Sequence, residues 1–77
     1  MIKIFSTPTC AYCETLKEYL KSHNFNFEDK DVSRDSASLD EMIKKSDQMG
    51  VPVVEIDGEI IIGFDKEKIN KLLGIKE

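Results

Sequence analysis

A chain of 77 residues forms one domain, near the size at which a single core is only marginally sufficient, and excludes a second. Eleven Lys/Arg against fifteen Asp/Glu give a net charge of −4, with the two signs interleaved, so no nucleic-acid partner is expected. Apolar residues make up 40% of the chain but fall in short clusters, none approaching the roughly 20 in succession that span a bilayer.

Met1-Ile2-Lys3-Ile4-Phe5-Ser6 lacks the basic region, apolar run and small-residue cleavage site of a secretory signal. A cytoplasmic location with no membrane partner is expected. Ile2 to Phe5 reads as a first strand, dense enough in apolar residues to be covered on both sides, and Ser6-Thr7-Pro8-Thr9 turns the chain out of it. From Cys10 the period changes. Tyr12, Leu16, Tyr19 and Leu20 recur at helical spacing, with Glu14, Lys17, Glu18 and Lys21 on or beside the wet face. Ser22-His23-Asn24 ends this helix, and Phe25 to Lys30 alternates as a half-buried strand.

Ser33-Arg34-Asp35-Ser36 opens a second helix whose apolar stripe is Leu39, Met42 and Ile43. Val51 to Ile56 and Glu59 to Ile62 flank Asp57-Gly58, the pair preferred in a two-residue type I′ hairpin turn. Asp65 can cap a third helix, with Phe64 and Ile69 spaced as a hydrophobic staple, Leu72 and Leu73 extending the packed face and Gly74 ending it. A strand-helix-strand unit demands parallel pairing and a tight hairpin demands antiparallel pairing. The order β-α-β-α-β-β-α therefore predicts an α/β fold: a four-stranded mixed sheet flanked by three helices, in a single domain over 1–77 and with a monomer as the simpler assembly.

Chemistry concentrates in Cys10 and Cys13, the only cysteines. A disulfide between them closes so short a loop that it restrains little of the unfolded chain, which weakens a purely structural reading. Two thiolates at this spacing are also half of many zinc or iron-sulfur sites, but the single histidine, His23, lies at the far end of the helix. A dimer or an external thiol would have to complete such a site. Thiol exchange fits better. Cys10 falls at a helix N-terminus, where backbone N–H groups and the helix dipole favour thiolate, and Cys13 follows one turn later on about the same face, where it can resolve a mixed disulfide.

Cys10-Ala11-Tyr12-Cys13 after the first strand, Gly50-Val51-Pro52-Val53 opening the third, and Gly63-Phe64-Asp65 after the fourth together resemble the glutaredoxins and glutaredoxin-like redoxins over essentially the whole chain. The resemblance implies a minimal thioredoxin fold and dithiol-disulfide oxidoreduction, with protein or low-molecular-weight disulfides reduced, and without a tightly bound cofactor or metal. It assigns Cys10 as nucleophile, Cys13 as resolving cysteine, and Tyr12, Val51, Pro52, Gly63, Phe64 and Asp65 to substrate binding. Pro52 would follow a cis bond, which the residues alone do not require.

Glutathione is implied as a co-substrate. Thr7, standing where the family commonly has lysine, and Lys66, replacing an acidic neighbour of Asp65, leave a strong glutathione site in question. Ala11 replaces the family's usual proline. Gly63-Phe64 and Val32-Ser33-Arg34-Asp35 resemble the redoxin that passes electrons from a thioredoxin reductase to ribonucleotide reductase. The implied partners are thus a disulfide-containing protein, ribonucleotide reductase among them, and either thioredoxin reductase or glutathione as reductant.

Plainer roles stand beside these. Tyr12 suits an amphipathic surface, Phe64 the staple, Asp65 the helix cap, and Thr9 a cap for the first helix. Gly50 and Gly63 suit turns or a close backbone approach. The alternative function is a binding module of the same fold whose cysteine pair is regulatory or holds zinc or an iron-sulfur cluster.

Overall fold

In the computed structural model, which describes Met1–Lys76, the elements run β1 (Ile2–Ser6), α1 (Ala11–Ser22), β2 (Glu28–Asp31), α2 (Ser36–Ser46), β3 (Val53–Ile56), β4 (Glu59–Ile62) and α3 (Lys66–Leu73). Glu77, the end of the expected domain, lies outside the described residues. The sheet order is β2-β1-β3-β4, with β1 parallel to β2 and antiparallel to β3, and β4 antiparallel to β3. This is the minimal thioredoxin fold, in the order expected.

Alternation along β1 divides the core into two layers. Ile2 and Ile4 point to one face, where they join Val54, Ile56 and Ile61 beneath Leu16 and Leu20 of α1 and Ile69 of α3. Phe5 points to the other, with Val53 and Val32 against Met42 of α2. The strand is covered on both sides, as its apolar density predicts. Lys3 shares the face of Phe5 and meets α2 through charge. Its ammonium lies 2.8 Å from Glu41, which also accepts Lys45 at 2.8 Å, and Lys45 reaches Glu55 of β3 at 2.7 Å. Lys3 and Glu55 are cross-strand partners, so this chain of four charges ties α2 to the two central strands.

Several boundaries differ from the sequence reading. β2 begins at Glu28, three residues later than expected. Phe25 belongs instead to the end of α1: Asn24 turns into the left-handed region at φ 63, Asn24 N–H donates to Lys21 C=O, and Phe25 N–H donates to Leu20 C=O. That is the paired-bond termination of a Schellman motif, and it brings Phe25 onto the Leu20 cluster. The alternation of Phe25 and Phe27 therefore reports burial of a connection.

α2 starts at Ser36, because the Asp31 carboxylate takes the Ser33 N–H at 2.9 Å while Asp35 caps the helix through Ala37 N–H and the Ser38 hydroxyl. β3 starts at Val53, since Val51 and Pro52 form a cis peptide ahead of it. The hairpin is as expected, with Asp57 at φ 48 and Gly58 at φ 90, the two positive angles a type I′ turn requires. In α3, Asp65 caps the helix and Phe64 and Ile69 pack in one cluster. Leu73 continues that contact, but Leu72 is 42% exposed, because the short helix turns it away from the sheet.

Two outcomes test this packing. Leu16→Ala, at a fully buried position, is expected to lower the unfolding free energy by about 3 kcal/mol in urea titration. Hydrogen bonds from Lys3 and then Lys45 hold the Glu41 carboxyl at about 2, below its ordinary 4.5, so its contribution is complete above pH 4.5 and is lost as pH falls towards 2. Its side chain is 30% exposed, which limits that contribution to about 1 kcal/mol. The urea midpoint of Glu41→Gln should lie below that of the parent at pH 7 and converge with it across this window.

Candidate active site

β1 ends at Ser6, and Thr7 to Thr9 fold back so that Cys10 N–H donates to Thr7 C=O at 3.3 Å. Cys10 then takes the N-cap position of α1 in an extended conformation. Its Sγ accepts the Cys13 N–H at 3.1 Å, and its carbonyl accepts the Glu14 N–H at 3.3 Å. The cap is thus the cysteine itself and not Thr9, whose side chain is one residue too early. Cys10 and Cys13 are joined as a disulfide, with Cα atoms 5.2 Å apart.

Burial makes the two sulfurs unequal. Cys13 is fully buried on the inner face of α1, whereas Cys10 is partly open. When the pair is reduced, the capping position offers the Cys10 sulfur a backbone N–H and the positive end of α1, both of which favour thiolate.

Strand register determines what surrounds the pair. Phe5 pairs with Val53 and Val53 with Ile62, so the start of β3 and the end of β4 lie beside the end of β1 from which the cysteine loop springs. Val51 is half-buried and Pro52 buried at that end, and Gly63 N–H donates to Pro52 C=O at 2.8 Å. Tyr12 projects from the first turn of α1 with 71% exposure. Phe64 and Asp65 have other engagements. The Phe64 ring packs on the core and lies 5.6 Å from Tyr19, while the Asp65 carboxylate accepts its own helix's Lys68 N–H at 3.2 Å. The Lys66 ammonium lies 5.2 Å from the centre of the Tyr19 ring.

A polar tie beneath α1 has no counterpart in the sequence reading. The Ser6 hydroxyl donates to Asp29 at 2.8 Å, and Lys17 meets the other Asp29 oxygen at 2.8 Å and Glu14 at 3.7 Å. Lys17, expected on or beside the wet face, is only 13% exposed. It follows Cys13 by one helical turn, so the tie clamps the cysteine-bearing segment of α1 to β1 and β2. The phase of Ser6 with Ile2 and Ile4 was the available signal, but Asp29 could not be placed opposite Ile4 until β2 was in register. Near the same end, the Ser33 hydroxyl holds the Asp31 carboxyl below its ordinary range.

Among the described residues, no group of three or more His, Cys, Asp or Glu side chains is gathered to hold a metal, and no helix is long and apolar enough to cross a membrane. Comparison with known proteins supplies the remaining step. Residues 2–61 match the Glutaredoxin family. An uncharacterized glutaredoxin-like 8.6 kDa protein in the rubredoxin operon of Clostridium pasteurianum is 55% identical over 73 residues, or 95% of this chain and 97% of that one. Glutaredoxin 3 of Escherichia coli is 34% identical over 64 residues, covering 83% and 77% of the two chains. The solved structure of the glutaredoxin-like protein NrdH-redoxin from Escherichia coli, described as having a thioredoxin-like activity profile, superposes with a TM-score of 0.80 at 27% identity over 92% of each chain. A capping cysteine bonded to a buried partner one turn away, on a chain so related, places this protein in the glutaredoxin family as a dithiol-disulfide oxidoreductase.

Proposed function

We propose that this oxidoreductase reduces disulfides in partner proteins and is recharged by a thioredoxin-type reductase, acting as a single-domain monomer in the cytoplasm. The observation that carries the reading is the inequality of the two sulfurs: Cys10 is accessible and caps α1, and Cys13 is fully buried. The Cys10 thiolate attacks one sulfur of the substrate disulfide, forming a mixed disulfide and expelling the other sulfur as thiolate. Cys13 then loses its proton to solvent base and attacks the Cys10 sulfur. The second substrate thiolate leaves, and two electrons have passed from the cysteine pair to the substrate.

In this reading the half-buried Val51 offers its backbone to the chain flanking the substrate disulfide. Tyr12 supplies an apolar contact beside it, and Gly63 keeps the opposite wall low. Phe64 and Asp65 shape that wall through the staple and the cap. Support for a protein reductase comes from the α3 entrance: Asp65 already serves as a cap, Lys66 lies against Tyr19, and Thr7 brings no cation. The likeness to NrdH-redoxin points the same way and makes ribonucleotide reductase one acceptor to assay. Glutathione is the co-substrate that membership of the glutaredoxin family supports, and it is the competing reductant.

Cys10→Ser is expected to lower reduction of a protein disulfide on the order of a thousandfold, and Cys13→Ser to accumulate a mixed disulfide visible as added mass. Recovery of the oxidised wild type should be fast with thioredoxin reductase and nicotinamide cofactor and slow with glutathione. Rapid turnover with glutathione alone would reverse the choice of reductant, and a Cys13→Ser protein that never captures substrate would reject the assignment of roles.

A further inference from the structure

The segment between α2 and Pro52 is held by two side chains, the Ser46 hydroxyl, which donates to Gln48 C=O at 3.1 Å, and the Gln48 amide. Asp47 leaves α2 in the left-handed region, its N–H still bonded to Ile43 C=O at 2.7 Å, and the chain must then reverse to reach β3. Gln48 bridges this reversal with both ends of its amide: Oε1 accepts the Gly50 N–H at 2.7 Å and Nε2 donates to the Gly50 C=O at 3.0 Å. Nε2 also lies 3.3 Å from the Ser46 hydroxyl, which in turn donates to Met42 C=O at 2.6 Å on the last turns of α2. Beyond Gly50 come Val51 and the cis Pro52, whose carbonyl is fixed by Gly63 N–H. A continuous set of hydrogen bonds therefore runs from α2 through the Gln48 amide to the loop beside the cysteine pair.

Gly50 leaves room for this arrangement. Its φ needs no glycine, but a Cβ there would lie 2.7 Å from Gln48 Oε1, so a larger residue would push aside the end of that flexible side chain and open the clamp. The pair is chemically selective. The N–H and C=O of one residue, a donor and an acceptor, are matched together only by a carboxamide of sufficient reach. A carboxylate in place of Gln48 could accept from Gly50 N–H but would set an oxygen against Gly50 C=O.

We propose that Gln48 is a positioning residue for the redox reaction. By clamping Gly50 it holds the Val51–Pro52 backbone in the shape that receives the substrate chain, so the ordering cost is met before binding. This rests on the reading above in which Val51 pairs with substrate. Gln48 touches neither cysteine, so it acts on docking and leaves the thiol chemistry alone.

The test uses the full chain, a protein disulfide substrate and the variants Gln48→Ala, Gln48→Glu, Gly50→Ala and the double variant Gln48→Ala with Gly50→Ala. Each single variant is expected to raise KM about fivefold, with kcat and the alkylation rate of reduced Cys10 within about twofold of the parent. Gly50→Ala should add little once Gln48 is gone, because the atom it collides with has been removed. Amide exchange at Gly50, faster in Gln48→Ala, reports on the clamp independently of turnover. Unchanged exchange overturns the proposal. So does faster exchange with an unchanged KM, a parallel fall in Cys10 alkylation, or additive effects in the double variant. A wild-type chain inert towards protein disulfides would instead mark failure of the functional reading, seen before any variant is compared, with the exchange measurement still deciding whether the clamp exists.

Discussion

The hydrogen bond from Cys13 N–H to Cys10 Sγ is the constraint around which the site is organised. The first turn of any helix has N–H groups with no partner in the helix, and an oxygen-bearing side chain usually takes one of them. Here sulfur does. The residue that caps α1 is therefore also a member of the redox pair, and its cap geometry fixes where the sulfur sits relative to the helix axis. The same geometry separates the two cysteines by one turn, leaving the second inside the interface between α1 and the sheet. Reactivity and sequestration follow from one local choice.

Topology then supplies the surroundings. Because β3 runs antiparallel to β1, its first residues return to the end at which β1 releases the cysteine loop, and the two-residue hairpin brings the end of β4 there as well. Three irregular segments meet where the ladder stops, and each satisfies its backbone in its own way: Cys10 through the Thr7 carbonyl, Gly50 through the Gln48 amide, and Gly63 through Pro52. The apolar layers supply most of the driving force for folding, and the partly buried charges orient what those layers hold. On one face Lys3, Glu41, Lys45 and Glu55 fix α2 across the central strands, and on the other Lys17, Asp29 and Ser6 fix α1. Both ties join a helix to neighbouring strands, so the sheet is the rigid reference for both.

Features specified by neighbours in sequence were legible. Asp57-Gly58 determines its turn because two adjacent residues must adopt positive φ, and the Phe64, Asp65 and Ile69 entrance to α3 is a local contact of one helix with its own approach. The cysteine pair was legible for the same reason. What escaped was settled by distant partners. Phe25 and Phe27 carry the alternation of a strand, yet pairing with β1 starts only at Glu28, since the Schellman termination of α1 has already committed Phe25 to Leu20. Helical phase left Lys17 on or beside the wet face, and Asp29 on a neighbouring strand decides for the inner side. Gln48 carries no motif at all. Its importance depends on the missing side chain two residues later, and Gly50 read alone suggests a turn.

That last pair clarifies how a chain this small can keep a reactive centre open. A disulfide that exchanges with a reactant cannot be fully covered by the core, so the segments around it draw less of their order from burial. They draw it instead from local hydrogen bonds, in which Cys10, Cys13, Gly50 and Gly63 each donate their N–H to a nearby carbonyl, a carboxamide or the sulfur itself. Such bonds contribute little to global stability when solvent is close. Their effect is to restrict the conformations of the loops at the rim. Apolar packing fixes the platform, while local hydrogen bonding shapes the segments of it that lie beside the cysteine pair.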